Sequence, residues 1–141
     1  MQRFKLTIEY DGRPFVGWQR QACEKPSVQG VIEQAVAKFD PRQPDDRDIL
    51  AYCAGRTDAG VHGLAMVAHL DVKRDYTAKK IKGALNALMR PHPVSILSVD
   101  QVDNEFHARF DAKRRHYIYK IRCRRSPLTY EQGLVWWVGH T

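Results

Sequence analysis

The segment Gly55-Arg56-Thr57-Asp58-Ala59-Gly60-Val61-His62-Gly63 puts one carboxylate, one guanidinium, one hydroxyl and one imidazole into nine residues, three of them glycine. A free aspartate titrates at about pH 4 and is ionised at neutrality. Asp58 could therefore act as a base, a nucleophile or an electrostatic stabiliser. The bland alternative is a turn residue that bonds its own backbone. Arg56, two positions earlier, adds an anion-binding group. Several other chemistries are excluded. No second carboxylate sits nearby in sequence, so the paired-carboxylate logic of glycosidases is not supported. The loop has neither the Gly-Lys-Ser/Thr of a nucleotide-binding P-loop nor a dinucleotide glycine fingerprint. The six histidines are scattered and show no metal-ligand spacing. Cys23, Cys53 and Cys123 lie far apart, are odd in number and match no zinc pattern, so they read as reduced thiols.

A second constellation lies further along the chain. Arg109, Lys113, Arg114, Arg115, Lys120, Arg122, Arg124 and Arg125 share their segment with a single acid, Asp111. That segment alone accounts for the chain's formal net charge of +7; the remaining bases and acids balance. A concentrated basic patch is the footprint of a phosphate-rich partner. Tyr117 and Tyr119 stand within it. Aromatic rings among cations are how unstacked bases are gripped. Carboxylate, arginines and tyrosines together point to chemistry on an RNA base drawn out of its stack.

These groups need a scaffold, and the sequence supplies one. Phe4, Leu6, Ile8 and Tyr10 alternate with polar residues over Arg3–Tyr10, the pattern of a half-buried strand. Asp11–Pro26 reads as a loop. Ser27 caps a helix reaching about Phe39, with Val28, Val31, Ile32, Ala35, Val36 and Phe39 as its apolar stripe. Ile49–Ala54 and Leu64–Val72 read as strands on either side of the Asp58 segment. Thr77 caps a second helix that ends before Pro91, with Ile81, Ala84, Leu85, Leu88 and Met89 as its apolar stripe, and Val94–Val102 is a fourth strand. The order is βαββαβ, which predicts an α+β fold: a ferredoxin-like or RNA-recognition-like antiparallel sheet with both helices on one face. The other face is then free to bind. The alternation of His116–Arg125 predicts a fifth strand with an aromatic and a cationic side, and Leu134–Val138 is a short apolar run that needs a neighbour.

At 141 residues the chain suffices for one domain with a hydrophobic core. Its apolar runs are too short to cross a bilayer, and Met1-Gln2-Arg3-Phe4-Lys5 has no signal-peptide core. A cytoplasmic protein is expected.

The segment from Gly55 to His62 resembles the signature of the TruA family of tRNA pseudouridine synthases. Tyr10-Asp11-Gly12-Arg13-Pro14-Phe15-Val16-Gly17-Trp18-Gln19-Arg20-Gln21 is similar to the family's N-terminal motif. Ser27-Val28-Gln29-Gly30 with Ile32-Glu33 resembles its first-helix start. Phe106-His107-Ala108-Arg109-Phe110-Asp111-Ala112, with Arg115 and Tyr117, resembles the segment leading into its active-site strand. The resemblance implies an isomerase that detaches uracil from its ribose, turns it and rejoins it through carbon, without a metal or redox cofactor. It implies that Asp58 is the catalytic aspartate, as nucleophile or as base at the sugar. It implies that Tyr117 stacks on the target uracil, that Arg56 displaces the base and holds the extruded nucleotide, and that Arg109 and Arg115 contact phosphate. The implied partner is tRNA, at uridines on the 3′ side of the anticodon stem-loop, and the implied assembly is a homodimer. Family members have a second half of comparable size that brings a basic residue to the aspartate. Residues 1–141 are therefore expected to be an N-terminal half, inactive alone. The competing expectation is a non-catalytic RNA-binding module of the recognition-motif type. Asp58 argues against it, because a carboxylate in an RNA-contacting loop repels phosphate.

Overall fold

The structure, a computed structural model, describes residues 1–139. The first strand, β1 (Gln2–Tyr10), turns Phe4, Leu6, Ile8 and Tyr10 into the core. It pairs antiparallel with both β3 (Gly63–Val72) and β4 (Val94–Val102), and so sits inside the sheet. With β2 (Tyr52–Cys53) on the outside of β3, the strand order is β2-β3-β1-β4. That is the order of the expected ferredoxin-like unit.

The helices follow their predicted stripes. In α1 (Val28–Phe39) the buried residues include Val28, Val31, Ile32, Ala35 and Val36, and the Ser27 hydroxyl accepts from the Gly30 amide. In α2 (Ala78–Leu88) Ile81 and Leu85 are buried, and the Thr77 hydroxyl accepts from the Lys80 amide. Asn86 of α2 bonds both backbone groups of Ile96, so the helix is fixed in register on β4.

The second strand is shorter than Ile49–Ala54. Only Tyr52 and Cys53 pair with β3, opposite His69 and Ala68. The reason lies in α1. The Glu33 carboxylate accepts from the Ala51 amide at 3.0 Å, and the Gln29 side chain donates to the Ala51 carbonyl at 3.3 Å. Helix side chains take the backbone groups that a longer strand would have used.

The sheet face away from the helices is not wholly free. After β4, residues 106–110 fold back across it. Arg3 of β1 donates to the Phe106 carbonyl at 2.8 Å while its other nitrogens bond Asp71 of β3. The Ala108 amide donates to Nδ1 of His69 at 3.0 Å. His69 is 1% exposed. Its ring stacks on Tyr52 at 5.0 Å and meets His107 edge-on at 4.6 Å.

The fifth strand is the main departure from the sequence pattern. Residues 112–120 have no strand assignment. Only β5 (Ile121–Cys123) is a strand, and it pairs in parallel with β6 (Trp136–Val138) in a sheet of its own. Alternation sorts side chains between faces but does not provide a sheet edge to join. Tyr117, Tyr119, Ile121 and Trp136 are all exposed as a result. The apolar run at 134–138 does find a neighbour in β5, but the pair stays open to solvent.

Burial and the positive charge of Arg3 push the His69 pKa down to about 4, so the ring is neutral and its Nδ1 is available to accept. The unfolded imidazole titrates at about 6.5, so its contribution is complete above that pH. Stability should fall as pH drops from about 6.5 to about 4, by roughly 3 kcal/mol in total from this group. Urea denaturation at a series of pH values should show this acid limb, and His69→Gln should flatten it while keeping an acceptor for Ala108.

Candidate active site

Asp58 lies between β2 and β3, in a turn closed by the Val61 amide on the Asp58 carbonyl at 3.1 Å. Gly60 occupies the third position of that turn at φ 81°, which a type II turn requires and glycine provides without strain. The Asp58 carboxylate is exposed and, among the described residues, makes no hydrogen bond or ion pair. It therefore does not bond its own backbone as a simple turn aspartate would. A reactive carboxylate needs to be accessible, and this one is.

What holds the turn is the loop of residues 11–26. The Val28 and Gln29 amides, free donors in the first turn of α1, bond the carbonyls of Gly17 and Trp18 at 3.2 and 2.9 Å. The Trp18 amide in turn donates to the Thr57 carbonyl at 3.0 Å, and Gly17 faces Asp58 in a single antiparallel bridge. A Cβ on Gly17 would lie 2.4 Å from the Thr57 oxygen, and its φ of 119° is one that side chains disfavour. Phe15 and Trp18 are buried and root the loop in the core. Arg20 pairs with Glu33 of α1 at 2.9 Å, and burial is the main influence raising the pKa of that carboxyl.

Side chains close the other side. The Tyr10 hydroxyl lies 2.8 Å from Oγ1 of Thr57. Burial raises the Tyr10 pKa, so the phenol keeps its proton. The Gly12 amide donates to Nδ1 of His62 at 3.0 Å. The imidazole is thus the tautomer carrying its proton on Nε2, which donates to the Gly133 carbonyl at 2.7 Å. Arg13 adds a bond to the Gln132 carbonyl at 3.0 Å and grips Asp11. The Arg13 hydrogen bonds hold the Asp11 carboxyl down at about 2. Two separate contacts therefore tie the Asp58 turn and its supporting loop to the turn at 131–134.

The structure brings some of the expected partners to Asp58 and leaves others apart. Arg56 is exposed two residues before it and, among the described residues, makes no ion pair. Burial raises the pKa of the Cys53 thiol, and the charges of Arg56 and Arg109 both oppose that rise. Arg56 follows Cys53 by three residues, at the strand end that leads into the Asp58 turn. Arg115 is committed inward: its Nε and Nη2 donate to the Ala54 carbonyl at 3.1 and 2.6 Å. It rests where a Cβ on Gly55 would stand, 2.9 Å from its Nε. Arg115 therefore ties the unpaired segment to the mouth of the loop. Tyr117, two residues on, is 70% exposed and lies outside a strand. The basic patch is also partly spent on itself. Arg122 is paired with Glu131, and Arg124 donates to the Ser126 and Pro127 carbonyls.

A family model described as tRNA pseudouridine synthase matches residues 6–111, from β1 through the turn that covers the sheet. The chain belongs to this family. Curated relatives named tRNA pseudouridine synthase A agree along nearly the whole chain. That of Rhodospirillum centenum is 53% identical over 98% of this chain and 54% of its own length. That of Maricaulis maris is 50% identical over 96% of this chain and 52% of its own. That of Zymomonas mobilis is 52% identical over 98% and 54%. The chain thus spans about half the length of the curated relatives it matches.

Within this family frame, the matched region contains Arg56, Asp58 and Arg109, whereas Arg115 and Tyr117 lie beyond it. Sequence reading assigned no supporting role to four residues of the site: Arg3 and His69, and Gly17 and His62, which entered only as members of motifs. His69 had a signal, because it alternates with the apolar face of β3 and so had to sit on the sheet's other side. The others act across the chain and carry no local pattern. No helix among the described residues is long and apolar enough to cross a membrane, and those residues hold no cluster of potential metal ligands.

Gly17→Ala should destabilise the chain by about 2 kcal/mol, through positive φ and the overlap with Thr57. Hydrogen exchange should then quicken at the Trp18 amide while the Leu6 amide, deep in the sheet, keeps most of its protection.

Proposed function

We propose that the protein containing this chain isomerises uridine to pseudouridine in tRNA, with Asp58 as the reacting carboxylate. The observation that carries this reading is the exposed Asp58 carboxylate, unbonded among the described residues, on a turn held from both sides. An accessible carboxylate on a firmly held turn suits a group that must meet a sugar. In the reaction the bond from ribose C1′ to uracil N1 breaks, the base turns, a bond from C1′ to C5 forms, C5 loses its proton and N1 gains one. Substrate and product have the same atoms, so nothing is consumed. Asp58 acts at the sugar, as nucleophile or as base.

Arg56, free beside it, displaces the base and holds the extruded nucleotide. Tyr117, exposed on a segment moored by Arg115 to Ala54, stacks on the uracil and assists proton transfer. Arg109 contacts phosphate. Arg115 keeps one Nη free for a phosphate while its other nitrogens fix the segment. The substrate region is the 3′ side of the anticodon stem-loop, the working assembly is a cytoplasmic homodimer, and no metal takes part. Residues 1–141 make up an N-terminal half-domain; the basic partner of Asp58 comes from a second half. The open faces of Tyr119 and Trp136 support a further element packing there.

Asp58→Asn in the complete enzyme should cut pseudouridine formation by at least about a hundredfold while leaving tRNA affinity nearly unchanged. Mass spectrometry of digested tRNA and a filter-binding assay measure the two. Near-normal turnover by the Asn variant would overturn Asp58 as the reacting carboxylate, whereas absence of pseudouridine from the complete wild-type enzyme would return the chain to the binding-module reading. The 141-residue chain alone should yield no pseudouridine in the same mass spectrometric assay.

A further inference from the structure

We propose that the Phe110 ring, backed by His107, is a stacking platform for an unpaired base of the bound RNA other than the reacting uridine. This rests on the reading of the substrate as RNA. Phe110 is 76% exposed, yet it is not loosely held. Its inner face lies on the His107 ring, with centroids 4.2 Å apart and planes 29° from parallel. His107 in turn packs against His69 and Tyr52, so a column of rings runs from the buried sheet face out to solvent. The backbone beneath is fixed just as firmly. The His107 amide donates to Asp111 at 2.7 Å, and the Arg109 and Phe110 amides both converge on Nδ1 of His107 at 3.2 and 3.3 Å. Arg3 and His69 hold the same turn from below.

Single exposed apolar residues are ordinary. A phenyl ring kept rigid in solvent with a second ring behind it is different, because it gains little from burial and offers a flat surface ready for use. The charge around it selects the occupant. The Arg109 guanidinium carbon lies 6.0 Å from the Phe110 ring centre. The segment running on to Arg125 holds eight bases and one acid, Asp111, whose carboxylate is already bonded to the turn. A planar group carrying a phosphate fits that combination, and every nucleobase has the required face. His107, beneath Phe110, packs on Tyr52 of β2 at 5.4 Å between ring centres, so this turn lies beside the strand leading into Asp58. The platform would then receive a base flanking the extruded one.

The test uses fluorescence anisotropy with a fluorescein-labelled RNA hairpin whose loop is unpaired, and a fully paired RNA duplex of equal length, at constant salt. Phe110→Ala in the complete protein containing this chain should weaken hairpin binding about tenfold and leave duplex binding unchanged. Phe110→Trp should restore hairpin affinity, whereas Phe110→Leu should remain as weak as the Ala variant. Thermal melting of each variant reports whether it folds as the parent does. The proposal is overturned by unchanged hairpin affinity in the Ala variant, by full rescue with Leu, by equal loss on the duplex, or by a parent protein that binds no hairpin. Absence of pseudouridine in the full enzyme, with Phe110-dependent hairpin binding intact, would reject the catalytic reading and leave the platform standing.

Discussion

The hydrogen bond from the Trp18 amide to the Thr57 carbonyl is the joint on which the candidate site depends. It connects a loop that closes the N-terminus of α1 to the turn that carries Asp58. Because the helix donates to the carbonyls of Gly17 and Trp18, the Trp18 amide between them can point outward to the turn. The approach is close enough that position 17 has no room for a Cβ. The orphan donors of the helix end are thereby used to place a loop and not to hold an anion. Asp58 inherits the rigidity of the core through two layers of backbone, while its own side chain stays uncommitted.

A second set of contacts organises the opposite sheet face. Arg3 and His69 project from neighbouring strands and take up one carbonyl and one amide of the turn at 106–111. Both are polar groups on a largely covered surface, and each is satisfied. The Asp71 carboxyl is held below its usual value chiefly by its hydrogen bonds from Arg3. His69 is kept neutral by burial, with the same arginine adding to the effect. Electrostatics here favour one protonation state, and that state is the one whose nitrogen lone pair the turn requires. Arg109 and Phe110 are the side chains this arrangement presents to solvent.

Much of the scaffold was legible in the residues. Strict alternation marked β1, the 3.6-residue stripes marked both helices, and Ser27 and Thr77 marked their starts. Those signals are local: each needs only neighbouring residues. The shortened β2 was not legible, because Gln29 and Glu33 compete for Ala51 from a helix some twenty positions away. The fifth strand was over-read for the opposite reason. Its pattern was correct, but pairing needs a partner edge, and only Ile121–Cys123 found one in β6. The basic patch was legible as charge. How much of it is free was not, since Arg115, Arg122 and Arg124 bond within the chain.

The sequence by itself determined which groups could react and where the elements that carry them begin and end. It identified Asp58 and Arg56 in a glycine-rich turn between two strands, and a family whose model spans both. Only the tertiary structure decided which groups are free. Among the described residues it left the Asp58 carboxylate without a partner, bonded Arg115 to the Ala54 carbonyl, neutralised His69 and set Phe110 upright on His107. The physical reason is range. Propensity and periodicity act over a few residues, whereas the availability of a side chain depends on atoms brought to it from tens of residues away.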